Sequence, residues 1–154
     1  MSAMITSLQN DKVKYVRALQ HRRRARHREQ RLVFEGLRLV EEAVRAGMPP
    51  VFVFYTARVG DDQRGDRLLA SLHEMGVNCY AVSEQVLVAC SDTETPQGVL
   101  AVMPIPTPPR PEHPTFTVIL DRVRDPGNLG TILRTALAAG VDQVLLTPGT
   151  VDVA

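Results

Sequence analysis

Apolar and polar positions along the chain follow two periods. Short apolar runs at Val51–Tyr55, Val77–Val82, Gly98–Met103, Val118–Leu120 and Val144–Leu146 have the length and composition of strands. Val118–Leu120 is of the kind found where a strand is covered on both faces. Between these runs apolar residues recur at helical spacing. Val13, Val16 and Leu19, with Tyr15 nearby, make one stripe, and Asn10 or Asp11 is placed to cap its start. Leu37, Val40 and Val44 stripe a helix over roughly 37–46, ended by Gly47 and followed by Pro49 and Pro50. Asp61 to Gly65 reads as a polar loop. Leu68, Leu69, Leu72 and Met75 stripe the next helix, closed at Gly76, and Ser83 caps a short one running to Val88. The last stripe is Leu129, Ile132, Leu133, Ala136 and Leu137, and Gly140 stands where a C′ glycine ends a helix.

This order predicts a small α/β sandwich up to Met103. Positions 104–114 hold six prolines, which forbid helix and keep the segment semi-extended as a linker. Residues 115–154 then read strand, polar loop, helix, strand, the beginning of a parallel βαβ unit. In open α/β sheets ligands sit beyond the carboxyl ends of the strands, here the Arg122–Gly130 loop. Within it Asn128 is suited to cap the helix, and Gly127 and Gly130 allow close approach of a ligand. Arg134 lies off the apolar stripe, and its fork of donors suits a phosphate or carboxylate. On spacing alone, a capped helix with a surface arginine is the favoured reading, because a lone Gly-x-x-Gly carries little weight.

Charge adds a second candidate. The net charge is +1, but residues 12–31 hold nine of the eighteen Lys and Arg with Glu29 the only acid, leaving +8 there and −7 elsewhere. A segregation this sharp points to a polyanion, with Lys12, Lys14, Arg22, Arg23, Arg24, Arg26, Arg28 and Arg31 as candidate phosphate contacts. No aromatic residues interleave the run at 21–28, so base stacking is not indicated there. The rest is bland. With 44% hydrophobic and 23% charged residues the chain is globular. Cys79 and Cys90 lack a ligand or redox spacing, the four histidines form no cluster, and no metal is expected. Idle thiols and the lack of a spanning run fit the cytoplasm.

The string Leu120-Asp121, Asp125-Pro126-Gly127-Asn128-Leu129-Gly130, Ile132-Leu133-Arg134-Thr135-Ala136 resembles the first motif of the SpoU (TrmH-like) branch of SPOUT RNA methyltransferases. Phe34-Glu35-Gly36, Leu39-Val40-Glu41-Glu42-Ala43 and Thr95-Pro96-Gln97-Gly98-Val99-Leu100-Ala101 resemble, at matching order, the substrate-binding domain that precedes it. That domain is similar to a ribosomal-protein fold that binds kinked RNA.

The resemblance implies a small α/β RNA-binding domain (1–103), a linker (104–114) and the first part of a trefoil-knot, parallel-sheet methyltransferase domain (115–154). It implies S-adenosylmethionine-dependent methylation of an RNA ribose 2′-hydroxyl, with ribosomal RNA preferred over transfer RNA. It makes Asn128 and Arg134 active-site residues and the complete domain a homodimer. The hydroxyl attacks the sulfonium methyl in line, so catalysis is mostly positioning. Neither later family motif, Gly-x-Glu-x-x-Gly nor Ser-Leu-Asn, occurs in the chain. The expectation is therefore a piece of a longer protein, which alone does not bind the cofactor in the family's way. Two rival readings are a non-catalytic RNA-binding module and a nucleotide enzyme using Gly127–Gly130 as a phosphate cradle. The second lacks a GxGxxG string or a Walker lysine.

Overall fold

The computed structural model describes residues 4–93, 95–107 and 109–152; Pro108 of the proline-rich stretch and both chain ends lie outside the described residues. The chain divides into two compact units, Met1–Ile105 and Pro106–Ala154.

In unit 1 the sequence alternates as its periods dictate. Helix α1 (Asp11–His21) starts at Asn10, whose side chain accepts from the Lys12 N–H, and buries Val13, Val16 and Leu19. The basic run continues as α2 (Arg23–Glu29), which buries only Ala25. Then follow β1 (Arg31–Glu35), α3 (Leu37–Arg45), β2 (Phe52–Tyr55), α4 (Ala57–Asp61), α5 (Gln63–Glu74), β3 (Asn78–Ala81), α6 (Glu84–Cys90) and β4 (Val99–Pro104). The sheet order is β1-β4-β2-β3. β4 runs antiparallel to both β1 and β2, and β2 pairs in parallel with β3. Pro104 is thus the end of a strand rather than the start of the linker.

Alternation along the strands sends side chains to two cores. Phe52, Phe54, Leu100 and Val102 meet Val13, Val16 and Leu19 of α1 with Val86, Leu87 and Cys90 of α6. Val53, Val99, Ala101 and Met103 meet Val40 and Ala43 of α3 with Val59, Leu68 and Leu72. Both faces of the sheet are covered, which is why its central strands read as unbroken apolar runs. Burial pushes the Cys90 thiol up to about 11.

One expectation fails here. Asp61–Gly65 is helical, with only Asp62 breaking α4 from α5. Asp62 caps α5 by accepting from the Gly65 N–H at 3.2 Å. Gly65 is buried so closely on α4 that an added Cβ would meet the Val59 carbonyl oxygen at 2.0 Å. Polar composition here marks two helix ends packed together, not a loop. Met75 also departs from its stripe, as the 44%-exposed C-cap residue of α5.

Unit 2 is a single crossover. β5 (Thr117–Leu120), α7 (Pro126–Ala138) and β6 (Gln143–Leu146) follow one another, and the strands pair in parallel with Val118 opposite Val144 and Leu120 opposite Leu146. Gly140 has φ 73° just past the helix end, as its position implied. Asp142 clamps the start of β5, accepting from Thr115 N, Thr115 Oγ1 and Phe116 N at 2.8–2.9 Å. These bonds, the Phe116 one foremost, hold its carboxyl below the usual range. The reading of β5 as covered on both faces does not hold within this unit. Val118 and Leu120 face the helix layer, whereas Ile119 is 66% exposed because the unit has one helix for two sheet faces. Leu137, placed on the apolar stripe by spacing, is 81% exposed, since α7 turns Leu129 and Ala136 to the sheet instead.

Candidate active site

The β5–α7 loop is built around Asp125, not Asn128. The Asp125 carboxylate accepts from the Asn128 N–H at 2.6 Å and Pro126 opens the helix, so Asp125 is the N-cap. Asn128 is the third helical residue, exposed, with its side chain left for other work. The Asp-Pro pair carried the signal, since proline favours the first helical position and the residue before it then becomes the cap.

Arg134 stands on the exposed side of α7. Its Nη2 donates to Thr131 Oγ1 at 3.2 Å, and Thr131 Oγ1 donates to the Gly127 carbonyl at 2.9 Å. A Cβ added at Gly130 would meet Arg134 Nη1 at 3.4 Å, so the guanidinium lies back across Gly130 toward the helix start. No carboxylate pairs with it among the described residues. Thr131 was missed in the sequence, although its place three residues before Arg134 on one helix face was readable.

The neighbouring loop crest is satisfied internally. Thr147 Oγ1 donates to Asp121 at 2.6 Å and accepts from Arg122 N at 3.3 Å, while Val151 N donates to the Val123 carbonyl at 2.8 Å. Arg122 has φ 53°, and both Arg122 and Arg124 are exposed. Beside α7 a groove of about 320 Å³ is lined by Phe116, Val118, Ile132, Ala136, Ala139 and Val141 with Thr131 and Thr135. The Thr135 hydroxyl is spent on the Thr131 carbonyl. S-adenosylmethionine needs partners for an adenine edge, two ribose hydroxyls and an amino-acid head. The described residues offer an apolar groove, exposed arginines, and a crest in which Thr147 and Asp121 are spent on each other. They do not fit that cofactor.

On unit 1 the eight candidate basic residues separate into two groups. Lys12 sits over the Tyr80 ring, 4.9 Å from its centroid, and Arg31 donates to Tyr15 Oη at 3.2 Å. Arg26 turns inward, its Nη1 donating to the Leu19 and Gln20 carbonyls at the end of α1. Arg28 pairs with Glu29, and Arg23 Nε donates to His27. Lys14, Arg22 and Arg24 are exposed and carry no ion pair among the described residues. The strand-to-helix turn after β1 and the segment before β4 come together. Gly36 N donates to the Val99 carbonyl at 3.1 Å, and the Ser91 hydroxyl donates to Glu35 at 2.7 Å.

Residues 10–101 match the MRM3-like substrate binding domain, and residues 115–154 match the SpoU rRNA Methylase family. The chain belongs to the SpoU rRNA methylase family. An uncharacterized tRNA/rRNA methyltransferase of Synechocystis is 39% identical over 97% of the chain and 54% of its own length. The Bacillus subtilis 23S rRNA guanosine 2′-O-methyltransferase RlmP is 37% identical over 96% of the chain and 56% of its own. This SpoU chain therefore spans about half the length of these relatives. Among solved structures, the AdoMet-bound rRNA methyltransferase from Sinorhizobium meliloti superimposes with a TM-score of 0.79 at 33% identity, covering 97% of this chain and 56% of that one. The SpoU methyltransferase AviRb from Streptomyces viridochromogenes, in complex with AdoMet, gives 0.80 at 26% identity, over 94% and 56%. Among the described residues no helix is long and apolar enough to cross a membrane.

Proposed function

We propose that this chain works within an S-adenosylmethionine-dependent RNA 2′-O-ribose methyltransferase, with ribosomal RNA as substrate. The observation that carries this reading is the exposed Arg134 guanidinium, paired with no carboxylate among the described residues and laid back across Gly130 toward the start of α7. Relatives named as ribosomal RNA methyltransferases favour ribosomal over transfer RNA. The cofactor supplies the methyl group, and the residues described here supply RNA contacts. A guanidinium with a pKa above ~12 is a poor base. Arg134 instead anchors an RNA phosphate with paired donors and favours negative charge developing on the 2′-oxygen. Asn128, exposed at the start of the same helix and making no side-chain hydrogen bond among the described residues, is left to contact the RNA. In this reading unit 1 holds the RNA, unit 2 carries part of the reaction site, and the complete domain works as a cytoplasmic homodimer.

The test is transfer of a tritiated methyl group from S-adenosylmethionine to ribosomal RNA by the complete protein, read as a ribose-methylated, alkali-resistant dinucleotide. Arg134→Lys is expected to lower turnover about a hundredfold, since a point charge does not reproduce the fork and a small misplacement is costly. Near-normal turnover in this variant would refute the phosphate clamp.

The RNA-holding role of the basic helices is tested separately. Lys14, Arg22 and Arg24 are the cations best placed to displace counterions. Replacing Arg22 and Arg24 with alanine is expected to reduce the slope of log affinity against log salt by about 1.8 on a duplex RNA, since each phosphate neutralised contributes ~0.9. Replacing Arg26 is expected to destabilise α1 and α2 instead, because its donors serve the Leu19 and Gln20 carbonyls. An unchanged slope in the double variant would move the RNA contact elsewhere.

A further inference from the structure

We infer that Thr131 is the positioning residue that aims Arg134, an inference that rests on Arg134 being the RNA-contacting arginine. A threonine hydroxyl has a single donor, and here it is spent on the Gly127 carbonyl at 2.9 Å, the turn below in α7. The hydroxyl's rotation is therefore fixed and its lone pairs face outward, where Arg134 Nη2 donates at 3.2 Å. Threonine is also stiff at χ1, so the acceptor does not wander.

Gly130 completes the arrangement. Apart from the backbone of α7 itself and the chain neighbours, a Cβ built there would meet Arg134 Nη1 at 3.4 Å and Nη2 at 4.0 Å among the described residues, so the missing side chain is what gives the guanidinium its bed. An ordinary side chain longer than alanine at 130 would lift the guanidinium off the helix and away from Thr131.

The partner's chemistry matters as much as its place. A carboxylate in this position would grip two donors and neutralise the charge. A hydroxyl takes one of five donors and leaves the charge whole for a phosphate. Thr131 thus orients Arg134 without weakening its pull on RNA.

The experiment uses the complete protein, ribosomal RNA from cells lacking the gene, and four variants: Thr131→Val, Thr131→Ser, Arg134→Ala, and Thr131→Val combined with Arg134→Ala. Valine keeps the shape and the helical bond from residue 131 to the Gly127 carbonyl but removes the acceptor. Thr131→Val is expected to lower kcat about tenfold, the loss of one charge-assisted hydrogen bond, with a smaller change in KM for RNA. Thr131→Ser is expected to restore most of it. In the Arg134→Ala background Thr131→Val should cost nothing more, since it acts only through that arginine. Wild-type turnover in Thr131→Val beside an impaired Arg134→Ala would overturn this inference alone, as would additive losses in the double variant. Full activity in Arg134→Ala would remove the reading of Arg134 itself, and Thr131's role with it. A second readout needs no activity. In the 154-residue chain, the Arg134 Nε–H nuclear magnetic resonance, assigned by its disappearance in Arg134→Ala, should shift in Thr131→Val and return in Thr131→Ser. An identical resonance in all three proteins would refute the contact.

Discussion

Replacing Gly65 with alanine is expected to destabilise unit 1 by about 3 kcal/mol, the upper end of ordinary overpacking. At most helical positions this substitution does the opposite, gaining roughly 0.5–1 kcal/mol from helix propensity and a stiffer unfolded chain. At Gly65 the added methyl carbon would sit 2.0 Å from the Val59 carbonyl oxygen, 2.7 Å from Val59 Cγ1 and 2.9 Å from the Val59 carbonyl carbon. Two of those three atoms are backbone, so no rotamer change relieves them. Val59 cannot retreat either: it is 2% exposed, and its other methyl already lies 2.7 Å from where a Cβ on Gly98 would stand. The start of α5 has to move off α4, which also pulls the Asp62 cap from the Gly65 N–H. Urea unfolding of the two proteins measures the difference. A midpoint equal to or above that of the parent would show that the two helices are not in contact at Gly65.

Phe54→Ala is expected to cost 3–5 kcal/mol, about the range for emptying a buried aromatic site. Phe54 is fully buried on β2, tilted against Phe52 with centroids 5.4 Å apart and edge-on to Tyr80 at 6.4 Å. Its core includes α1, so the cavity loosens the seat of the basic segment as well as the sheet. Against a total stability of roughly 5–15 kcal/mol for a domain, that loss removes from about a fifth to all of the folding margin. Circular dichroism melts check it, and the less costly Phe54→Leu, which retains most of the volume, separates cavity formation from general intolerance. A melt within a few degrees of the parent would mean that the core repacks around the gap.

Most of the strand and helix order was legible because both sheet faces of unit 1 are covered, so its central strands read as short unbroken apolar runs that stay distinct from the helical spacing. Asn10 and Ser83 were readable as caps because each directly precedes an apolar stripe, and both accept from the helix backbone. Asp62 and Asp125 were not identified. Asp62 lies in a polar stretch whose helical character depends on Gly65 touching Val59, a contact between residues that no periodicity reveals. At the second site the Asp-Pro step, which begins three residues before Asn128, marks the cap more strongly than the asparagine does. Exposure in unit 2 was misread at Ile119 and Leu137 because an apolar pattern records what a side chain prefers, not whether a covering layer is present. The charge count in residues 12–31 could not tell Arg26, folded back on carbonyls, from Arg22 and Arg24, which stay in solvent. Arg134 lies off the apolar stripe as spacing implies, and Thr131, three residues before it, shares that face.

The seat of Cys90 has a practical use. The thiol lies under α1, with Sγ 3.9 Å from the Val13 carbonyl, and Cys79 is the half-buried alternative. A maleimide added briefly to the native chain is expected to tag Cys79 first, because burial raises both thiols but only Cys90 is fully out of reach. Timed alkylation of Cys90 then becomes a clock for how often the leading helix lifts from the sheet, obtained without introducing any foreign residue.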